Sequence, residues 1–131
     1  MTTIEVSCAI ILHEKQVLVA QRSEKMILPL KWEFPGGKIN PNETAHDCVI
    51  RELKEELNIE IKIVDHLSKT NYDYGTYMVS LYPFIAEYIG GKIKLTEHKD
   101  IKWCTKSDLL SLDWAPADVS ILNELIKLSY I

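Results

Sequence analysis

One helix-forming block set between strand-forming segments is the feature that most limits how this chain folds. Residues 44–57 are predicted to form a helix, because Asn42-Glu43-Thr44 supplies helix-start chemistry and Asn58 suits the left-handed residue past a helix end. Segments rich in β-branched and aromatic residues precede and follow this block. The pattern predicts a layered α/β (or α+β) fold, in one domain that covers residues 1–131.

The predicted strands lie on both sides of the helix. Residues 6–12 and 17–21 read as strands joined by the polar turn His13-Glu14-Lys15, and a short strand is predicted at 31–34. After the helix, residues 59–88 are predicted to form a hairpin broken near Asp73 to Gly75, with a further turn at Gly90-Gly91. The last predicted elements are a strand at 101–104, a helical turn at 106–110 and an amphipathic helix at 117–128.

The predicted central helix carries three closely spaced carboxylates. On a wheel at about 100° per residue, Glu52 and Glu56 border the apolar arc and Glu55 lies one step outward. The arc itself contains His46, Val49, Ile50, Leu53 and Leu57. Arg51 and Lys54 lie at other angles and are not expected to neutralise the cluster. Half-shielded carboxylates at spacings of three and four residues repel each other and favour Mg²⁺ or Mn²⁺. The alternative is a solvated acidic surface.

The segment before the helix adds to this picture. Pro35-Gly36-Gly37 lies between a predicted strand and the helix, so glycine there permits close approach of the backbone to a ligand. A backbone carbonyl exposed in this segment would be a further metal ligand. The alternative is a plain turn.

Taken together, these positions resemble the Nudix box. Gly37 is followed after five residues by Glu43, and after seven more by the run R-E-L-K-E-E-L-N-I at 51–59. Only Asn58 departs from the family pattern, which has glycine there, and Asn adopts the same left-handed conformation. Further matches resemble the MutT branch, especially its NudG-like CTP pyrophosphohydrolases: Ala20-Gln21-Arg22, 32–38 (W-E-F-P-G-G-K), Glu97-His98, Trp103-Cys104 and 115–118 (A-P-A-D). The resemblance implies the Nudix fold, a mixed β-sheet sandwiched between helices.

The resemblance also implies a role for each matching residue. The metal ligands it implies are the Gly36 carbonyl, Glu52, Glu55, Glu56 and Glu97. The residues it assigns to the structure of the motif are Gly37, Glu43 and Arg51. The substrate-binding residues it implies are Arg22, Glu33, Phe34, Pro35, Gly36, Lys38 and Asp118. Arg22 would contact phosphate, for which a guanidinium provides a planar fork of donors. The alternative for Arg22 is a surface charge at a strand end, and for Glu97 an exposed loop acid.

The reaction implied is Mg²⁺-dependent hydrolysis of a nucleoside triphosphate, with Mn²⁺ as a substitute. In the MutT branch, water attacks the β-phosphorus and yields a nucleoside monophosphate and pyrophosphate, which suits sanitation of the nucleotide pool. Glu52 is the expected base, and Glu97 is the second candidate; both, with Glu55 and Glu56, are the predicted catalytic residues.

Asp118 is the main predictor of the base. An ionised carboxylate only accepts hydrogen bonds, so it suits the N4 amino group of cytosine or the N1 and N2 hydrogens of guanine. A protonated Asp118 would donate instead, which keeps oxidised or modified bases open. The alternative is that Asp118 caps the last helix. Phe34, Trp32 and Trp114 would supply a stacking wall, or simply pack in the core.

Composition and charge argue against a nucleic-acid polymer or a membrane as a partner. The chain has 131 residues, of which 47% are hydrophobic and 26% charged, and a net charge of -4. This balance provides no basic surface for a nucleic-acid polymer. The apolar run at 6–12 is too short to span a membrane. Cys8, Cys48 and Cys104 form no zinc pattern and are predicted to be reduced thiols of a cytoplasmic protein, monomeric or homodimeric.

Two other functions remain open from the sequence. Tyr72, Tyr74 and Tyr77 follow the Nudix-like motif, where dinucleoside polyphosphate hydrolases of the family often carry a tyrosine, although alternation along a strand explains them as well. A non-catalytic Nudix module that binds nucleotide is the other alternative, and the intact acidic positions argue against it.

Overall fold

The computed structural model describes the whole chain, Met1–Ile131, as strands and helices around one sheet. The strands are β1 (Thr2–His13), β2 (Gln16–Gln21), β3 (Trp32–Glu33), β4 (Gly36–Lys38), β5 (Glu60–His66), β6 (Thr70–Asp73), β7 (Tyr77–Gly90) and β8 (Asp100–Cys104). The helices are α1 (Ala45–Leu57), α2 (Lys106–Leu110), α3 (Val119–Leu125) and a 3₁₀ turn at Pro116–Asp118. No helix is long and apolar enough to cross a membrane.

The sheet is mixed, with the long strands β1 and β7 at its centre. These two run parallel from the pair Thr2 and Tyr77 to the pair Leu12 and Glu87. All other pairings are antiparallel, and the strand order is β3-β2-β1-β7-β5, with β4 on β1, β6 on β7 and β8 on β2. Glu14 and Lys15 both have positive φ (50° and 62°), which matches the tight two-residue turn between β1 and β2.

Alternation along the strands divides the core between the two faces of the sheet. In β1, Cys8 and Ile10 face a cluster that includes Leu109 of α2 and Leu122 of α3. The intervening Ala9 and Ile11 face a second cluster formed with α1. The α1 residues in that second cluster are Val49, Leu53 and Leu57. The predicted mixed sheet between helices is therefore confirmed.

Several local predictions differ from the structure. The predicted helix at 117–128 is instead a 3₁₀ turn that begins at Pro116, whose fixed φ suits a first helical position, followed by the short α3 that ends at Leu125. Gly36 and Gly37, predicted to belong to a turn or loop, instead form β4 with Lys38, paired with β1. In α1, Cys48 is buried while His46 and Ile50 are exposed, so the buried face is rotated from the predicted arc. The hairpin at Asp73 to Gly75 is confirmed.

Candidate active site

Two adjoining cavities lie where β1, β4, α1 and the loop before β8 meet. The first, of about 420 Å³, is lined by Glu52, Glu56 and Glu97, and the second, of about 440 Å³, by Tyr74 and Tyr77. The two cavities share six lining residues: Val6, Arg22, Glu33, Lys38, Leu81 and Asp118. Together they form one cleft with an acidic end and a largely apolar end.

Capping residues at both ends fix the extent of α1, the helix that carries the carboxylates. The Thr44 hydroxyl accepts the N–H of Asp47 at 3.0 Å, which satisfies one of the free donors of the first turn. Asn58 ends the helix with φ 58° and ψ 37°, and its N–H donates to the carbonyls of Leu53 and Lys54. The left-handed Asn58 predicted from the sequence is confirmed.

Glu43 and Arg51 tie the segment before α1 to the helix. Arg51 donates Nε to Glu43 Oε2 at 2.7 Å and Nη2 to Glu43 Oε1 at 2.9 Å, a bidentate pair. The backbone N–H of Asn40 also donates to Glu43 Oε1, and Arg51 Nη2 donates to the Lys38 carbonyl. The bond from Arg51 is the main reason that the pKa of Glu43 falls to about 2. This geometry agrees with the bracing role that the resemblance implied.

Arg51 also reaches the acidic cluster, contrary to the sequence prediction. Its Nη1 lies 3.0 Å from Glu52 Oε1 and 3.1 Å from Glu55 Oε2. The prediction that Arg51 would not neutralise these charges was wrong, because a helical wheel gives the direction of the Cα–Cβ bond but not the reach of a long side chain. The Glu55 side chain is 58% exposed and does not line the cleft.

Glu52 and Glu56 are partly withdrawn from water. The Glu52 side chain is 14% exposed and lies against Gly37, where an added Cβ would be 2.2 Å from the Glu52 Cδ. Burial raises the pKa of Glu52. Burial, and then the charges of Glu97 and Glu52, raise the pKa of Glu56. The Glu56 Oε2 atom is buried and has no hydrogen-bond partner. A buried acceptor without a partner is costly unless a ligand satisfies it.

Glu97 approaches the same end of the cleft from the loop between β7 and β8. Its charge raises the pKa of Glu56, so the two carboxylates are electrostatic neighbours. Gly36 also lines this end, and its backbone lies so close to β1 that an added Cβ would be 1.9 Å from the Ser7 carbonyl oxygen. As they stand, no three His, Cys, Asp or Glu side chains converge closely enough to form a ready-made metal site.

A partly buried network of three residues occupies the middle of the cleft. Arg22 Nη1 lies 2.8 Å from Glu33 Oε1, and His98 Nε2 lies 2.8 Å from Glu33 Oε2. Arg22 Nε donates to the Ile27 carbonyl, and its Nη2 has no partner in the protein. His98 was not predicted from the sequence to have a role, although its position next to Glu97 was the available signal.

Asp118 lies where the two cavities join and is 6% exposed. Its Oδ2 accepts the backbone N–H of Phe34 at 2.8 Å, and it makes no side-chain bond to the start of α3. The alternative role as a helix cap is therefore wrong, because the carboxyl group is bonded to the segment between β3 and β4 rather than to its own helix. Burial, and then the charge of Glu33, raise the pKa of Asp118 well above its ordinary value.

The aromatic residues at the apolar end are not those predicted. Phe34 and Trp114 are buried with ring centroids 4.7 Å apart and pack against each other, and of these two only Phe34 also lines the first cavity. Tyr74 and Tyr77 are stacked at 5.3 Å instead, and both line the cavity. Pro35 is buried, its carbonyl accepts the Ala9 N–H, and it does not line the cleft. Lys38 is exposed and lines both cavities.

Comparison with known proteins agrees with this geometry. The NUDIX domain family matches residues 1–125. The chain is 31% identical over 128 residues to the CTP pyrophosphohydrolase of Escherichia coli (strain K12), spanning 98% of this chain and 95% of that protein. It is 27% identical over 129 residues to the 8-oxo-dGTP diphosphatase of the same strain, spanning 98% and 100%.

A solved structure shows the same fold. The solution NMR structure of the DNA mismatch repair protein MutT (family Nudix hydrolase) from methicillin resistant Staphylococcus aureus 252 superposes with a TM-score of 0.78 at 41% identity. The match covers 97% of this chain and 98% of that one. The resemblance to the MutT branch is confirmed, and this chain belongs to the NUDIX domain family as a Nudix hydrolase.

Proposed function

We propose that this protein is a Mg²⁺-dependent nucleoside triphosphate pyrophosphohydrolase. One observation carries the proposal: a single cleft has Glu52, Glu56 and Glu97 at one end and the buried Asp118 further along. Arg22 and Lys38 lie between them. This order of acidic, basic and base-sized sections matches the order of metal, polyphosphate and nucleoside in such a substrate.

The residues at the acidic end fit a divalent ion. The donors are all oxygens, which Mg²⁺ and Mn²⁺ prefer. The buried and unpartnered Oε2 of Glu56 lacks a ligand, and repulsion among Glu52, Glu56 and Glu97 falls when a cation binds. Mg²⁺ commonly uses only one or two carboxylates and completes its shell with waters and substrate phosphates. A site that is not preassembled therefore suits an ion that arrives with the nucleotide. Glu52, Glu56 and Glu97 would hold it, with the Gly36 carbonyl as a further ligand, and Glu55 would join them only after leaving its ion pair with Arg51.

The chain's own residues would perform the remaining steps. When bound, the ion would neutralise the polyphosphate charge and acidify water. We assign Glu52 as the base that takes the proton of the attacking water, with Glu97 as the second candidate. The water oxygen bonds to the β-phosphorus, the bond from that phosphorus to the α–β bridging oxygen breaks, and nucleoside monophosphate and pyrophosphate leave. Arg22 has Nη2 free to donate to a phosphate oxygen.

Asp118 and the apolar cavity support selection among bases. Two similar proteins are named for CTP and for 8-oxo-dGTP. The Phe34 N–H occupies Oδ2 of Asp118, which leaves Oδ1 for a ligand in the cleft. The raised pKa favours the protonated form, which both donates and accepts. We propose a cytosine or an oxidised or otherwise modified base as the preferred substrate, and sanitation of the nucleotide pool as the role.

Hydrolysis of dinucleoside polyphosphates is the second candidate. The observation in its favour is a row of three aromatic rings, Tyr72, Tyr74 and Tyr77, whose successive ring centroids are 4.6 Å and 5.3 Å apart. Tyr72 lies at the exposed end of this row, where a second base would stack.

A panel of nucleotides tests both candidates. Purified protein with Mg²⁺ is given CTP, dCTP, 8-oxo-dGTP, dGTP and a diadenosine polyphosphate, and pyrophosphate and phosphate are measured separately. We expect pyrophosphate release from at least one triphosphate, and none after chelation of Mg²⁺. Preference for the diadenosine compound would establish the second candidate, and no reaction with any triphosphate would refute the first.

We further propose that residues 1–131 act as one cytoplasmic domain, as a monomer or homodimer. The sheet runs without a break beneath both core clusters, and the three cysteines are free thiols, all buried. A nucleic-acid polymer or a membrane is not among the proposed partners.

A further inference from the structure

The loop that carries Glu97 is anchored on both sides of that residue but not at its side chain. Between β7 and β8, its backbone is anchored by Lys94 N–H to the Leu57 carbonyl and by Lys99 N–H to the Gln21 carbonyl, each at 2.9 Å. Thr96 makes a long contact of 3.4 Å to the Glu55 carbonyl. The exposed Glu97 side chain makes no hydrogen bond to the protein. Its position therefore depends on what holds the residues beside it.

Electrostatics opposes the closed position of this loop. The charge of Glu97 acts on Glu56, which also feels the charge of Glu52. Like charges at close range in a partly buried site repel more strongly than in water. Without an opposing anchor, the loop would relax outward, and Glu97 would leave the cleft.

His98 provides that anchor. Its side chain is 4% exposed, and Nε2 lies 2.8 Å from Glu33 Oε2. Because a carboxylate only accepts hydrogen bonds, the imidazole Nε2 donates. Glu33 is itself held by Arg22 on its other oxygen, so the acceptor is fixed to the edge of the sheet through β3.

The burial of His98 argues against a role in packing alone. Its Nδ1 is buried and has no partner. An unpartnered buried nitrogen costs stability, which an apolar side chain of similar size would avoid. The hydrogen bond from Nε2 to Glu33 is what an apolar side chain could not supply.

We propose that His98 is a positioning residue, which holds Glu97 in the cleft by hydrogen bonding to Glu33. In this inference, which rests on the proposed function, Glu33 is a shared acceptor for Arg22 and His98 rather than a contact for substrate. Glu33 thereby couples the phosphate-binding arginine to the loop that completes the acidic end.

Two amide variants that differ by one methylene test the hydrogen bond. Glutamine places its amide nitrogen near the position of the imidazole Nε2, whereas asparagine places it near Nδ1, too far from Glu33. We expect His98→Asn to lower kcat about 10- to 100-fold, as expected for a catalytic group displaced by about 1 Å. KM should change by less than about threefold, because Arg22 and the base pocket are retained. His98→Gln should restore most of kcat, and Thr96→Ala should resemble the native protein.

A double variant separates positioning from general destabilisation. If His98 acts through Glu97, His98→Asn should lower kcat by less than about twofold further in a Glu97→Gln background. A double variant whose loss of kcat equals the product of the two single losses would overturn the proposal. So would an unaltered kcat in His98→Asn or in Glu97→Gln alone, or an equal loss in His98→Gln and His98→Asn.

A measurement without nucleotide or metal keeps the inference distinct from the proposed function. Trypsin cleavage after Lys94 and Lys99 should be faster in His98→Asn than in His98→Gln, relative to cleavage after Lys15 in the β1–β2 turn. Equal cleavage rates would refute the anchor even in an active enzyme. An inactive native protein with the expected cleavage pattern would refute the proposed function and leave the anchor established.

Discussion

Adjacent glycines allow the role of Glu52 to be tested without touching Glu52. A Cβ added at Gly37 would lie 2.2 Å from Cδ, 2.4 Å from Oε2 and 2.6 Å from Oε1 of the Glu52 side chain. Ordinary contact begins near 3.4 Å, so the carboxylate must move by roughly 1 Å. The clash involves only the end of a flexible side chain, and Gly37 does not have a left-handed φ. Gly37→Ala should therefore displace the proposed base and leave the fold intact.

The expected cost falls on the reaction. A displacement of about 1 Å in a catalytic group costs about 100-fold in rate, or about 2.7 kcal/mol of transition-state stabilisation. We expect kcat for pyrophosphate release to fall by about this factor, with little change in KM for a nucleotide bound elsewhere in the cleft. Stability should change by less than about 1 kcal/mol, because alanine also restricts the unfolded chain.

Gly36→Ala is the matched control for this experiment. Its Cβ would meet backbone atoms of β1, 1.9 Å from the Ser7 carbonyl oxygen and 2.6 Å from the Cys8 Cα. Because these backbone atoms cannot move aside, the free energy of unfolding should fall by about 3 kcal/mol or more. Urea denaturation measures stability, and steady-state release of pyrophosphate measures activity. A Gly37→Ala protein that is fully active, or one as destabilised as Gly36→Ala, would refute the reasoning.

Three further predictions concern Glu52 and Asp118. Glu52→Gln should abolish Mg²⁺-dependent pyrophosphate release with an unchanged circular dichroism spectrum, and full activity would exclude Glu52 as the base. Asp118→Asn should alter the ranking of CTP against 8-oxo-dGTP more than it lowers overall turnover, and an unchanged ranking would remove Asp118 from base selection. Because the pKa of Asp118 is raised in the folded protein, the fold binds its proton more tightly than the unfolded chain does. The free energy of unfolding of the native protein, compared with that of Asp118→Asn, should therefore fall as pH rises from the ordinary value of 3.8 through the raised pKa. Urea denaturation of both proteins across this pH range measures the difference, and a difference that does not change with pH would contradict the prediction.

Features set by short-range spacing were predictable from the sequence. The helix, its Thr44 cap, the left-handed Asn58 and the clustering of Glu52 and Glu56 all depend on residues within a few positions of each other. The pairing of Glu43 with Arg51 followed from the family resemblance, and the structure places them in a bidentate ion pair. Local geometry therefore carried most of the acidic end of the cleft.

Features that depend on distant segments were not predictable in the same way. The partner of Asp118 is the backbone of Phe34, and the partner of His98 is Glu33, 65 positions away. Periodicity cannot reveal such contacts, since it describes one element at a time. The contact between Arg51 and Glu52 was missed for a different reason, because the position of a residue on a helical wheel does not give the reach of its side chain.

The division between local and distant contacts bears on how substrates change within this family. At the acidic end, Glu52 and Glu56 come from one helix, and Glu97 joins them from the loop between β7 and β8. The other end is assembled from Asp118, just before α3, and from Tyr74 and Tyr77 of the β6–β7 hairpin, and sequence spacing does not link the hairpin to Asp118. If Asp118 selects the base as proposed, substitution there should change the base that fits without disturbing the carboxylates. Two similar proteins are named as hydrolases of different nucleoside triphosphates, CTP and 8-oxo-dGTP, which is the pattern this division predicts. The preferred base of this protein is therefore to be sought in the side chains around Asp118, not in the Nudix box.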